Sequence, residues 1–299
     1  MPSNFRLNRT ALFMLMICVL GWGFSWTVLK YALGEIPPLS LRGVSAVGAG
    51  LLTLALVHLS GGAITVARAQ WPRLVMLAFC NVLSWTVLST YAMLFLPSGR
   101  AALLAYTMPL WCVPLSIWLL DERMTSRRVL ALSLGVAGVA VLMGQDVLAL
   151  MQAPVGALLM VSAAFCWACG IVLMKRWRLP VETSILTGWQ LVLGGVPMLL
   201  AAAWVDGIPA QWPSVGAQVA VVFSMLVTYM LCYWAWNRLV LLVPVAVSSL
   251  SSLLTPLVGV ASGALFLGEE PGLAEALAML LILGAVAVIN SARREQARA

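Results

Sequence analysis

The sequence predicts an all-α integral membrane protein of ten transmembrane helices, arranged as two inverted-topology repeats of five. Three observations predict it. Of 299 residues, 63% are hydrophobic and 9% are charged, with a mean hydropathy of +1.02, whereas an average soluble domain carries roughly 25% charged residues. So few charges cannot keep the surface of a water-soluble fold solvated, and the apolar surplus must face lipid. Apolar stretches recur along the whole chain with short polar breaks. At about 20 residues per span, the length holds on the order of ten spans and no soluble domain. Finally, the second half of the chain repeats the first.

The first segment, 11–30, follows Arg6 and Arg9 in the manner of a signal peptide. It lacks a small-residue cleavage site and comparable spans follow, so it reads as a retained helix. Segment 39–60 carries Arg42 one turn inside, where the guanidinium can snorkel outward, attract a substrate carboxylate or pair in an external gate. His58 lies near its other end, at the interface. Segment 73–96 holds Asn81, Ser84 and Trp85, and Pro97–Ser98–Gly99 then makes a tight corner in which Gly99 gives room for gating. Segment 98–120 contributes Tyr106, Thr107 and Trp111, with Pro109 and Pro114 interrupting it. Segment 128–145 is Leu-, Val- and Ala-rich with almost no polar side chain, and is expected at the periphery against lipid or a partner. Segment 154–174 carries Trp167; its Cys166 and Cys169 read as small packing residues. Segment 183–205 offers Gln190 and Pro197, and segment 214–236 Thr228 and Tyr229. Segment 243–267 holds Ser248, Ser251, Ser252, Thr255 and Pro256, a run that either permits close helix approach or turns a polar face to a ligand. Segment 273–291 matches 128–145 in its apolar character.

Orientation follows from Lys and Arg alone. With both termini cytoplasmic, every basic residue except Lys30, Arg42 and Arg100 falls on the inner side. The net charge of +7 and the pI near 9.4 are then a result of topology, and no nucleic-acid partner is needed to explain them.

The repeat is legible by self-comparison. Trp22 to Lys30 lies over Trp167 to Lys175 at an offset of 145, with Trp and Lys recurring at both ends. Pro109 matches Pro256, and Glu122 matches Glu269, at an offset of 147. The division expected is 1–146 and 147–299. Five helices is an odd number, so the second copy enters the membrane from the opposite side, and the loops agree. Asp121, Glu122 and Arg123 lead to Arg127 and Arg128, while the counterpart Gly268–Glu269–Glu270 has no arginine. Paired inverted repeats point to secondary transport, because exchanging conformations between halves opens a midplane site to each side in turn.

The candidate substrate-binding set is Trp22, Asn81, Trp85, Tyr106, Trp111, Trp167, Gln190, Tyr229, Ser248, Ser251 and Ser252, with Arg42, Gly99, Pro109 and Pro256 as candidates for gating or carboxylate recognition. Trp71, Trp177, Trp204 and Trp212 sit where an interfacial belt is expected. The ten acidic residues all fall in loops or at span ends, so an obvious device for proton or sodium coupling is missing and facilitated movement is expected. The six cysteines lie within spans, one histidine stands alone, and no metal, cofactor or catalytic constellation is expected. Aromatic walls with scattered hydroxyls and amides suit neutral or zwitterionic amphiphiles. Cationic aromatic compounds are the rival cargo, through cation–π contact. The partners expected are therefore a small molecule and the lipid bilayer, with a monomer as the working unit.

The five-plus-five plan, the paired Trp-to-Lys segments, the Pro109/Pro256 helices and the Glu122/Glu269 corners resemble the drug/metabolite transporter superfamily and its duplicated EamA-type modules, over essentially the whole chain. Within it the sequence resembles the YddG-type bacterial exporters of aromatic amino acids. The resemblance implies a ten-helix inner-membrane exporter whose halves enclose a central cavity and alternate between outward-open and inward-open states.

Overall fold

The computed structural model describes residues 9–96, 101, 104–105, 107–122, 124–144, 154–207, 212–255, 258, 261, 265 and 272–296. Among these residues all regular structure is helical. In hydrocarbon no water is present to satisfy backbone N–H and C=O groups, and a helix satisfies them within one segment. The elements are α1 (Arg9–Ala32), α2 (Pro38–Leu59), α3 (Arg68–Phe95), α4 (Met108–Leu120), α5 (Ser126–Gly144), α6 (Pro154–Trp177), α7 (Thr183–Val205), α8 (Val215–Leu242), α9 (Val245–Ser251, running into a tight turn over Ser252–Leu254) and α10 (Leu273–Gln296). Six of them, α1, α2, α3, α6, α7 and α8, are long and apolar enough to cross a membrane.

Helix ends follow local chemistry. Pro38 and Pro109 stand in the first turns of α2 and α4, where a missing N–H costs nothing. Ahead of α4, Ala101, Leu104 and Ala105 are helical too, so the apolar run is interrupted at Thr107, just before Pro109. Gly61 and Gly207 take φ of 81° and 69° just beyond α2 and α7, the left-handed ending that glycine adopts without strain. Ser214 caps α8, its hydroxyl accepting from the Ala217 N–H at 3.2 Å. Ahead of α5, Glu122 pairs with Arg128 at 3.3 Å.

Two interruptions recur at matched positions. In α3 the ladder loosens to π-helical spacing over Phe79–Ser84, and in α8 over Ser224–Leu231. Phe79 and Ser224 are 145 residues apart, the offset of the repeat.

Packing obeys the same relation. α1 lies against α8 as α6 lies against α3, α5 packs on α10, and α2 on α7. Without a hydrophobic drive between helices in lipid, close approach of small residues holds such pairs. In the α2/α7 seam Gly43 abuts Leu199 and Gly188 abuts Leu54, while Gly50 faces Val192 and Gly195 faces Val47. The two helices therefore run antiparallel, and each contact has its repeat-related image. Leu and Val side chains on α5 and α10 remain exposed on their outer faces, among them Val129, Leu130, Leu273 and Leu280.

The seam supplies a prediction. A Cβ at Gly50 would lie 2.8 Å from the Gly188 carbonyl oxygen and 2.9 Å from the Val192 nitrogen, both backbone atoms that cannot swing aside. Gly50→Val is expected to destabilise the bundle by about 1–3 kcal/mol through overpacking. Gly284→Ala, whose Cβ meets only Leu134 at 3.8 Å, is expected to leave stability unchanged. Thermal unfolding in detergent reads the contrast.

Candidate functional site

A cavity opens among α1, α2, α3, α4, α6, α8 and α9. Trp22, Trp85, Trp167, Trp236, Tyr229 and Tyr233 form most of its wall, with Arg42, Thr86, Ser89, Thr228, Ser252 and Thr255 supplying polar groups. The rings interlock, Trp22 edge to face with two of its neighbours. Trp22 meets Trp167 at 5.6 Å and 80°, Tyr233 at 5.9 Å and 87°, and Trp236 at 5.4 Å. Trp85 meets Trp167 at 5.0 Å, and Tyr229 stacks on Tyr233 at 5.4 Å. The edge-to-face contacts of Trp22 with Trp167 and Tyr233 place the positive edge of one ring against the negative face of another.

The π segments anchor this cluster. Trp22 Nε1 donates to the backbone oxygen of Thr228 at 3.2 Å, and the Tyr233 hydroxyl donates to the backbone oxygen of Asn81 at 3.1 Å. Both acceptors lie inside the loosened stretches, where the altered ladder leaves carbonyls able to take a side-chain donor.

Arg42 is the cation of this wall. Its Nε donates to Thr90 Oγ1 at 3.0 Å and its guanidinium carbon lies 6.0 Å from the Tyr229 ring centroid. The second half carries an uncharged counterpart between the equivalent helices, Asn237 Nδ2 donating to Thr187 Oγ1 at 2.9 Å. No carboxylate lines the cavity among the described residues.

The residues singled out from sequence divide. Trp22, Trp85, Trp167, Tyr229, Ser252 and Arg42 come together on the wall. Asn81 is 2% exposed with its side chain wedged against Gly170, and Gln190 is fully buried on α7. Ser248 turns back on its own helix, donating to the Val245 carbonyl at 3.1 Å. Trp111 packs edge-on against Phe165 at 5.5 Å on the outer surface. Pro109 is buried behind Met108, the residue that reaches the cavity. Tyr106, Gly99, Pro256 and the side chain of Ser251 lie outside the described residues. Tyr233 and Trp236 escaped the sequence reading, although Tyr229, Tyr233 and Trp236 recur at i, i+4 and i+7, the signature of one helix face.

Side-chain bonds tie the two halves at both ends of the bundle. At the α1–α2 end, Asp206 accepts from the Ser40 N–H and hydroxyl at 2.7 Å each, and Glu35 accepts from the Ser214 N–H and hydroxyl at 2.7 Å each. At the opposite end Arg176 donates to the Leu119 carbonyl at 2.5 Å, and Trp189 to the Ile64 carbonyl at 2.9 Å.

Apolar helices packed around an aromatic cavity, together with the family match, make this chain a membrane transporter. It belongs to the EamA-like transporter family, whose profile matches residues 9–144 and again 154–291. It is 28% identical over 295 residues to the uncharacterized transporter YvbV of Bacillus subtilis (strain 168), covering 97% of this chain and 94% of that one. A Salmonella typhimurium protein named "Probable amino-acid metabolite efflux pump" is 26% identical over 294 residues, 93% of this chain and 94% of that protein. A solved crystal structure shares the fold at a TM-score of 0.79, covering 95% of this chain and 98% of its own, at 23% identity.

The Ser214 bonds hold the Glu35 carboxyl below its ordinary range. A carboxylate with a depressed folded-state pKa stabilises above its unfolded pKa, and that contribution is lost as pH falls through the folded value. Acidification through this range is expected to lower the melting temperature in the wild type. Ser214→Ala, which removes the hydroxyl donor, is expected to reduce that acid-dependent drop.

Proposed function

We propose that this chain exports neutral amino acids, aromatic ones foremost, across the bacterial inner membrane by alternating access, without ion coupling. In this reading ten spans form two inverted five-helix repeats, 1–146 and 147–299, with both termini cytoplasmic and the monomer as the working unit. The observation that carries it is the pairing of a single guanidinium, Arg42, with an aromatic box of Trp22, Trp85, Trp167 and Trp236. A zwitterion bearing an apolar ring matches that arrangement: its carboxylate bonds Arg42, and the ring enters the box.

The absence of a carboxylate among the described lining residues supports facilitated movement down a gradient, since proton and sodium coupling normally use an intramembrane acid. The basic residues gathered where α2 leads into α3 and α6 into α7, Arg68, Arg73, Arg176 and Arg178 among them, support placing that end in the cytoplasm. A cationic cargo is less well matched, because Arg42 would repel it on entry. The relative named as an amino-acid metabolite efflux pump agrees in cargo class.

Flux of labelled phenylalanine into liposomes holding the purified protein tests the reading, with a cationic dye in parallel. Phenylalanine flux that a pH gradient fails to drive uphill is expected. Dye flux without amino-acid flux would replace this reading by that of a multidrug exporter. Arg42→Gln is expected to lower kcat/KM for phenylalanine ten- to hundredfold, about 1.4–2.8 kcal/mol of carboxylate recognition. Trp167→Ala is expected to cut flux about tenfold or more, against no change for Trp111→Ala, with both proteins expressed normally.

A further inference from the structure

Arg42 is held from behind the cavity wall. Its Nε donates to Thr90 Oγ1 at 3.0 Å where α2 crosses α3, and its guanidinium carbon lies 6.0 Å from the centroid of the Tyr229 ring on α8. Thr90 is 1% exposed and does not line the cavity, so it can act on a ligand only through the guanidinium. One turn earlier on the same face of α3, Thr86 accepts from the Tyr229 hydroxyl at 3.5 Å. The two threonines thus hold both the cation and the ring beside it.

The Thr90 bond decides which donors Arg42 has left. A guanidinium carries one N–H on Nε and the rest on its two Nη atoms, and it accepts no hydrogen bond. It can grip a carboxylate side-on, through Nε and one Nη, or end-on, through both Nη atoms. With Nε committed to Thr90, the end-on fork remains. The same bond orders a long, flexible side chain before a ligand arrives, and a group ordered in advance takes less from the binding free energy.

The repeat separates this arrangement from a plain tie between helices. Thr90 matches Asn237 at an offset of 147, and Arg42 matches Thr187 at 145. Asn237 and Thr187 bond each other at 2.9 Å where α7 and α8 meet, both are fully or almost fully buried, and neither lines the cavity. Two neutral side chains are therefore enough to join the helices. In the first half the same place carries a charge, and that charge lines the cavity. The partners of Arg42 among the described residues are a neutral hydroxyl and a neutral ring, so the charge is left for an anion to balance.

We propose that Thr90 is a positioning residue for carboxylate recognition. By holding Arg42 through Nε it turns the Nη fork to the cavity, and the transporter selects ligands bearing a carboxylate over compounds with the same ring and ammonium but no carboxylate. This goes beyond the amino-acid exporter reading above and rests on it. A ligand without the carboxylate meets a fixed positive charge that it cannot neutralise.

The test measures KM and kcat for labelled phenylalanine in proteoliposomes, and the inhibition constant of phenethylamine, which keeps the ring and the ammonium and lacks the carboxylate. Thr90→Val and Thr90→Ala are expected to raise KM for phenylalanine about five- to tenfold with kcat held. Inhibition by phenethylamine is expected to stay as it was or to strengthen, and Thr90→Ser is expected to restore the wild-type KM. In an Arg42→Gln background Thr90→Val is expected to add nothing, because the group it positions is gone. Equal shifts for both compounds, or a full Thr90→Val effect on top of Arg42→Gln, overturn the proposal and leave amino-acid export standing. So does failure of the Val and Ala variants to fold while Thr90→Ser folds, which makes the bond a tie like that of Asn237. If the wild type moves no phenylalanine while a cationic dye crosses, the exporter reading falls and the role of Thr90 falls with it.

Discussion

Backbone polar groups that lie in hydrocarbon have to find their partners inside the protein, and this requirement shapes the cavity more than any single side chain. A regular helix consumes its own carbonyls. The π stretches in α3 and α8 loosen that pairing, and each puts a carbonyl where an aromatic donor from another helix can reach it, Asn81 for Tyr233 and Thr228 for Trp22. Without those two acceptors the indole and phenol would carry unpaired donors into an apolar interior. The ring cluster built on Trp22, Trp167, Tyr233 and Trp236 thus depends on two irregularities of the main chain.

Around this cluster the bundle is held by contacts of different kinds. Glycines let α2 and α7 approach along their centres, where the gain is dispersion between closely packed atoms. At the ends, hydrogen bonds from Ser40, Ser214, Arg176 and Trp189 join the halves, and these are fewer and nearer to water. A rigid middle with polar ties at its ends is a construction in which tilting one half against the other breaks only the ties on one side.

Much of this was legible in the chain. Hydropathy located the segments because lipid imposes one length scale, and self-comparison exposed the repeat because Trp22/Trp167 and Lys30/Lys175 recur in register. The face each polar residue occupies was less legible. In lipid any polar side chain turns inward, so polarity alone cannot distinguish Thr228, which reaches the cavity, from Gln190, which is packed on α7. Trp111 was misjudged by depth, since an indole can pack on Phe165 at the outer surface as well as in a cavity. The π stretches left no periodic trace, because shifting one turn by a residue barely alters a uniformly apolar pattern. Tyr233 and Trp236 needed only the i, i+4, i+7 spacing from Tyr229 to be found.

Trp22 and Trp167 are each other's counterparts in the repeat, and they touch at 5.6 Å. Gly43 on Leu199 and Gly188 on Leu54 form a second such reciprocal set. Contacts of this kind are isologous: the same patch meets itself, as at the dyad of a homodimer. The interface inside this single chain is therefore one that two identical half-length polypeptides could form unaided, which makes a dimeric ancestor with one gene copy structurally sufficient. Fusion then freed the halves to diverge, and Arg42, set opposite the neutral Thr187 and Asn237, is a difference that no symmetric pair could have carried.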